Sequence, residues 1–322
     1  MAKKILKWIL GIIVGLLVIF FYGVVPWFLT GIATTNRFHF RDPNDGKTPA
    51  SYGMDFSDVE FKSSDGIDLK GWYVPTSGPA HGTIIYCHGQ NRTRVEMLPM
   101  AAFGHELGYN GLLFDLRHQG QSSGSVSSVG YWERLDAEAA VRFALDDEHA
   151  AHPVILWGVS MGAAAALMAA AESPDVAAVI SDSSFLNFRD VVVHHYRLFM
   201  RRFRPWWFPY LPAFPLADEV IYWAAHRAHF KPSDFDLEAA VERINPRPIL
   251  FVAVAGDLRM PPGIARRLFA DSTSPLKQIV VVPGNRHGEG FNQANAEYEK
   301  TVTDFLAHVN PGAAASQPAG GR

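Results

Sequence analysis

The sequence predicts an α/β protein: a mostly parallel central sheet with helices on both faces, a helical cap insertion, and an N-terminal transmembrane helix. Three observations predict it. Short apolar runs alternate with helix-like stretches over most of the chain. A Gly-x-Ser-x-Gly motif falls where one such run meets an Ala-rich helix. A long uncharged apolar segment occupies the N-terminus. The 322 residues are close to half apolar, so a large core can form without metal or disulfide. A net charge of −3 excludes nucleic acid as the expected partner. With Cys87 as the single cysteine, no intramolecular disulfide is available, and its place in the run Thr83–Cys87 marks it as an inert core thiol.

No charged residue occurs from Trp8 to Asn36, and about 20 apolar residues span a hydrocarbon core. Residues 1–33 are therefore expected to be a membrane anchor. Lys3, Lys4 and Lys7 precede it, which places the N-terminus in the cytoplasm and the rest outside it, in the periplasm or at the cell surface. The competing expectation is a signal peptide cleaved near Gly31-Ile32-Ala33, which would leave a secreted protein. Residues 34–53 are polar, contain Pro and Gly, and read as a linker.

A folded domain is expected over residues 54–310. Val59–Phe61 and Ile67–Tyr73 flank the turn signal Ser64-Asp65-Gly66, predicting a hairpin. Strands are then expected at Thr83–Cys87, Gly111–Asp115, Val154–Trp157, Val176–Ile180, Ile249–Val254 and Gln278–Val282. Helices are expected at about 94–107, 132–147, 161–172, 263–270 and 292–308. The alternation lapses at about 184–245. A gap of that length is usually functional, and it is expected to form a cap over the carboxyl edge of the sheet. The Ala/Gly/Pro/Ser-rich tail, residues 311–322, is expected to be disordered.

The chemistry begins at Trp157-Gly158-Val159-Ser160-Met161-Gly162. A sharp strand-to-helix turn exposes the serine hydroxyl at a helix N-terminus, whose amides favour developing negative charge. A hydroxyl needs a base, and the base an orienting acid, in the chain order Ser, acid, His for a serine displayed this way. Asp257 follows the run Ile249–Ala255, and His287 follows Ile279–Val282. Both stand just past strand ends, the edge where reactive groups of parallel sheets gather. Glu289 is the weaker acid, since it lies beside the histidine and not after a preceding strand. The two amides required for an oxyanion are assigned to Met161 and to Gln90 in the loop His88-Gly89-Gln90-Asn91. His88 itself is expected to be structural.

His88-Gly89, Asp115-x-Arg117-x-x-Gly120-x-Ser122, the motif at Ser160, Gly256-Asp257 and His287 stand in an order that resembles the α/β-hydrolases, over about Ser57 to Val309. The chain is most similar to bacterial membrane-anchored hydrolases grouped with serine aminopeptidase-like and prolyl-oligopeptidase-related enzymes. The resemblance implies serine hydrolase chemistry with no cofactor, and a structural role for the Asp115–Ser122 stretch. A multi-glycine oxyanion loop is lacking, which sets the chain apart from the hormone-sensitive-lipase-like branch. Small-molecule carboxylic esters are the expected substrates; peptides and thioesters are alternatives. A tethered acyltransferase and a non-catalytic envelope scaffold are further alternatives. The pairs His194-His195 and His226-x-x-His229 lack companion ligands and are not read as metal sites. Arg201, Arg202, Arg204, Trp206, Trp207 and Phe208 read as an apolar lid, a membrane-facing patch, or cap packing.

Overall fold

A computed structural model describes residues 1–35, 41–148, 150–202 and 215–311. A long N-terminal helix runs as α1 (Ala2–Ile19), a π-helical turn (Phe20–Val24) and α2 (Val25–Thr34). There follow β1 (Ser57–Lys62), β2 (Asp68–Val74), β3 (Thr83–Cys87), α3 (Leu98–Glu106), β4 (Asn110–Phe114), α4 (Glu133–Asp146), β5 (Val154–Val159), α5 (Met161–Glu172) and β6 (Val176–Asp182). Helices α6 (Phe188–Arg202), α7 (Leu216–Ala228) and α8 (Leu237–Arg243) precede β7 (Ile249–Val254), α9 (Pro262–Asp271), β8 (Lys277–Val282), α10 (Gly290–Gln293) and α11 (Asn295–Val309). The run Arg204 to Phe208, read as a lid, a membrane-facing patch or cap packing, lies outside the described residues, as does the tail from 312.

The eight strands form one sheet in the order β1-β2-β4-β3-β5-β6-β7-β8, antiparallel at β1–β2 and β2–β4 and parallel elsewhere. The apolar runs read as strands because most are buried on both faces, where unbroken hydrophobicity replaces alternation. Successive residues still serve opposite layers. Ile85, Cys87, Leu112, Leu156 and Phe251 face a core shared with α4, α5 and α8. Ile84, Tyr86, Leu113, Trp157 and Val252 face α3 and α11. From β3 the chain turns to β4 on one side and then to β5 on the other. The carboxyl ends of β3 and β5 therefore flank a topological switch point, where such sheets leave a crevice.

Residues Lys3–Thr34 form a helix long and apolar enough to cross a membrane, with a mean hydropathy of 2.7 in its most apolar window. The α1 side chains are exposed, whereas Pro26, Thr30, Gly31 and Thr34 of α2 are buried against the domain. Within the connector read as a linker, Asp42, Asn44 and Pro49 are buried, while most of the residues from 41 to 53 are exposed. The Asp42 carboxylate takes the Asn44 amide at 2.8 Å, and Tyr52 donates to Asn44 at 2.7 Å. Arg92 pairs with Asp42 at 3.4 Å. The last expected helix is interrupted at Ala294, whose φ of −130° and ψ of 41° separate α10 from α11.

Candidate active site

Ser160 occupies the strained turn between β5 and α5, at φ 54° and ψ −113°. Two glycines make that turn possible. A Cβ on Gly158 would lie 2.3 Å from the Gly162 carbonyl oxygen, and one on Gly162 would lie 2.0 Å from the Cys87 carbonyl oxygen. The Ser160 amide donates to the Asp182 carbonyl at the end of β6, 2.8 Å away, holding the turn to the neighbouring strand. Ser160 is 8% exposed, so its hydroxyl is open to the crevice while its backbone is fixed.

Asp257 and His287 come together because the loops after β7 and β8 are joined. The Gly256 amide donates to the Gly284 carbonyl at 2.9 Å, and a Cβ on Gly256 would sit 2.7 Å from that oxygen. His287 Nδ1 donates to Asp257 Oδ2 at 2.7 Å, and Ser160 Oγ donates to His287 Nε2 at 2.8 Å. The other Asp257 oxygen accepts the amides of Arg259 and Met260, at 2.8 and 3.0 Å. Burial pushes the Asp257 carboxyl up, but its bond to His287 and those two amides more than offset this and leave it below the usual range. Burial also lowers His287 below its ordinary value, against the pull of Asp257 and with help from the Arg259 charge, which favours the neutral ring. Glu289 turns away and pairs with Arg286 at 3.3 Å.

The loop after β3 approaches the same point. His88 is fully buried; its Nδ1 donates to the Gly89 carbonyl at 2.8 Å, and its Nε2 accepts the Leu116 amide at 3.0 Å. Both ring nitrogens are thus committed to backbone. The Gly89 amide is taken by Glu96 Oε2 at 2.6 Å. The amides of Gln90 and Met161 have no acceptor among the described residues. In the Asp115–Ser122 stretch, Asp115 accepts the amides of Arg94 and Gln121, and Arg117 grips Asp136 and Asp65.

Several neighbours gave no signal in the sequence. The cavity at Ser160, about 100 Å³, is lined by Gly89, Gln90, Arg92, Glu96, Arg259 and His287 among others, so its described walls are polar and charged. Burial pushes the Glu96 carboxyl up to about 7, despite the Gly89 amide and Arg92. Asp182, likewise raised by burial to about 6, accepts hydroxyls from Ser183 and Tyr298. The histidine pair of α6 braces the loop after Asp257: His194 Nε2 donates to the Leu258 carbonyl at 2.8 Å, and Arg259 Nε donates to His195 Nε2 at 3.3 Å. His195 Nδ1 is spent on the Val191 carbonyl, and burial lowers that ring to about 4, keeping it an acceptor. No spacing rule could have found contacts between residues 64 positions apart.

A fold with its reactive side chains on the carboxyl edge, at the switch point of a mixed sheet, defines a class, and the chain belongs to the α/β-hydrolase superfamily. Within it, residues 78–234 match the family described as serine aminopeptidase, S33. YqkD of Bacillus subtilis is 30% identical over 77% of this chain and 78% of its own length. The membrane protein YNL320W of Saccharomyces cerevisiae is 25% identical over 86% of this chain and 93% of its own. The Pyrococcus furiosus esterase Pf2001 superposes with a TM-score of 0.69 at 21% identity, covering 85% of this chain and 98% of that one. The chain is accordingly a hydrolase with an α/β-hydrolase fold and one N-terminal apolar helix.

Proposed function

We propose that the chain is a membrane-tethered serine hydrolase that cleaves carboxylic esters through an acyl-enzyme. The observation that carries this reading is the hydrogen-bonded series Ser160–His287–Asp257, with 2.8 and 2.7 Å links. His287 Nε2 takes the Ser160 proton as Oγ bonds to the substrate carbonyl carbon, and the Gln90 and Met161 amides hold the oxyanion. The imidazolium, steadied by Asp257, returns that proton to the departing alkoxide. Water then repeats the sequence on the acyl-enzyme, regenerating Ser160 and releasing the acid. The Pf2001 likeness favours esters, and the small charged cavity favours short acyl groups. The family description keeps a peptidase as the second reading.

Residues 1–33 serve as the anchor, 34–53 as the connector, 54–310 as the hydrolase domain with a cap at about 184–245, and 311–322 as the tail. The amino-terminal lysines favour a cytoplasmic N-terminus and an extracytoplasmic domain. A membrane-impermeant fluorophosphonate applied to intact cells tests chemistry and orientation together. Labelling of wild type that is absent in Ser160→Ala is the expected result. Labelling only after lysis would overturn the orientation, and none in folded wild type would overturn the activated serine.

A further inference from the structure

The last four carbonyls of a helix have no partner within it. At the end of α2 the hydrolase domain supplies two of the missing donors. Gln90 Nε2 donates to the Ala33 carbonyl at 2.7 Å, and the Ser127 amide donates to the Thr34 carbonyl at 2.9 Å. Further contacts press the same turn onto the domain. Thr30 Oγ1 donates to the Val220 carbonyl at 3.3 Å, Arg227 donates to Thr34 Oγ1 at 3.3 Å, and the Arg227 guanidinium stands 5.7 Å from the centre of the Trp27 ring. Thr30, Thr34 and Ser127 are fully buried.

Both domain residues lead to the reacting centre. Gln90 carries one of the two unengaged amides at the crevice. Ser127 Oγ reaches Gln90 Oε1 at 3.2 Å and lies 3.6 Å from the sulfur of Met161, which carries the other. Its proton goes to Glu133 at 2.7 Å, a buried carboxylate that also takes the Ser128 and Gly130 amides and so fixes the loop bearing Ser127. The Gln90 side chain is therefore held by its bond to the N-terminal helix, and its oxygen lies against a loop that the helix also holds.

We infer that the last turn of the N-terminal helix is part of the active site: through Gln90 and Ser127 it positions the Gln90 amide for the oxyanion. This rests on the serine hydrolase reading, and Gln90 is here a positioning residue through its side chain. On this reading, cleavage near Gly31-Ile32-Ala33 would remove the carbonyl that Gln90 engages.

The test uses the full-length chain in nanodiscs. Gln90→Met removes the side-chain donor and keeps the backbone amide. Gly31→Leu disturbs the helix end: its Cβ would stand 3.4 Å from Arg227 Nη1, and the carbons beyond it would have to displace that guanidinium from Thr34. Each change is expected to lower kcat on a short p-nitrophenyl ester about tenfold or more, with KM within about twofold, as misplacement of a transition-state contact does. The double variant should be little worse than either single one, because both act through one link. Unchanged kcat in both singles, or effects that multiply, would overturn the coupling. Amide hydrogen exchange over 88–92 and 126–128 reads it without turnover. Faster exchange in Gly31→Leu is expected, and unchanged exchange would overturn the inference even if the wild type proved to hydrolyse no ester. A wild type that hydrolyses nothing while its exchange responds would instead overturn the esterase reading alone.

Discussion

The decisive residues act through what they exclude as much as through what they touch. Gly162 leaves no room for a Cβ beside the Cys87 and His88 carbonyls. Gly162→Ala should therefore cost about 2–3 kcal/mol and displace Ser160, read as a lowered Tm together with lost phosphonate labelling. The pH profile follows from His287. Only the neutral ring accepts the serine proton, and burial holds its pKa below the ordinary 6.5. The acidic limb of kcat/KM should accordingly have its midpoint below 6.5, with activity lost as pH falls through it. A midpoint above 6.5 would contradict the environment described. The three polar residues of the series were legible individually because each ends an apolar run. Glu96 and Arg259 were not, because a charged side chain in a turn or loop looks the same in sequence whether it meets solvent or a crevice.

At the scale of elements, α5 shows how Ser160 is held. Met161 through Ala170 are all buried, and the alanines let the helix lie close to the sheet. Its carboxyl end is closed by Arg247, which donates to the carbonyls of Ala170, Ser173 and Val176 at 2.6 to 2.9 Å. A cation at a helix C-terminus satisfies orphan carbonyls and complements the dipole. Arg247→Ala should destabilise the protein by about 1.5–3 kcal/mol, measured by denaturant unfolding, with KM unchanged at temperatures where it stays folded. The strands were legible because full burial demands apolar runs. The interruption at Ala294 was not, since neither Gly nor Pro marks it and the apolar positions Phe291, Tyr298, Val302 and Phe305 continue across it. The connector misled for a related reason. Its polarity suggested solvent, whereas Asp42 takes the Asn44 amide and pairs with Arg92, and Tyr52 donates to the Asn44 side chain.

For the whole molecule, the sheet order turns a linear arrangement into a site. The ends of β3 and β5, about seventy residues apart in sequence, meet because these strands are adjacent while the chain between them runs to the opposite side. That much was implicit in the alternation of runs. The contact of the N-terminal helix with the domain was not, because composition marked the helix as lipid-facing throughout and cannot distinguish a span from a stalk. The distinction is one of length. The 32 residues of Lys3–Thr34 reach about 48 Å at 1.5 Å per residue, against a hydrocarbon layer of about 30 Å. The surplus falls on α2, which docks against α7. Under the proposed tethering, an enzyme mounted on such a stalk would meet its substrates at a surface density, by lateral diffusion in two dimensions, with its crevice held at a fixed height above the head groups. For an ester dissolved in the bilayer, turnover should then follow the mole fraction of ester in the lipid. Diluting the vesicles at constant composition should leave it unchanged.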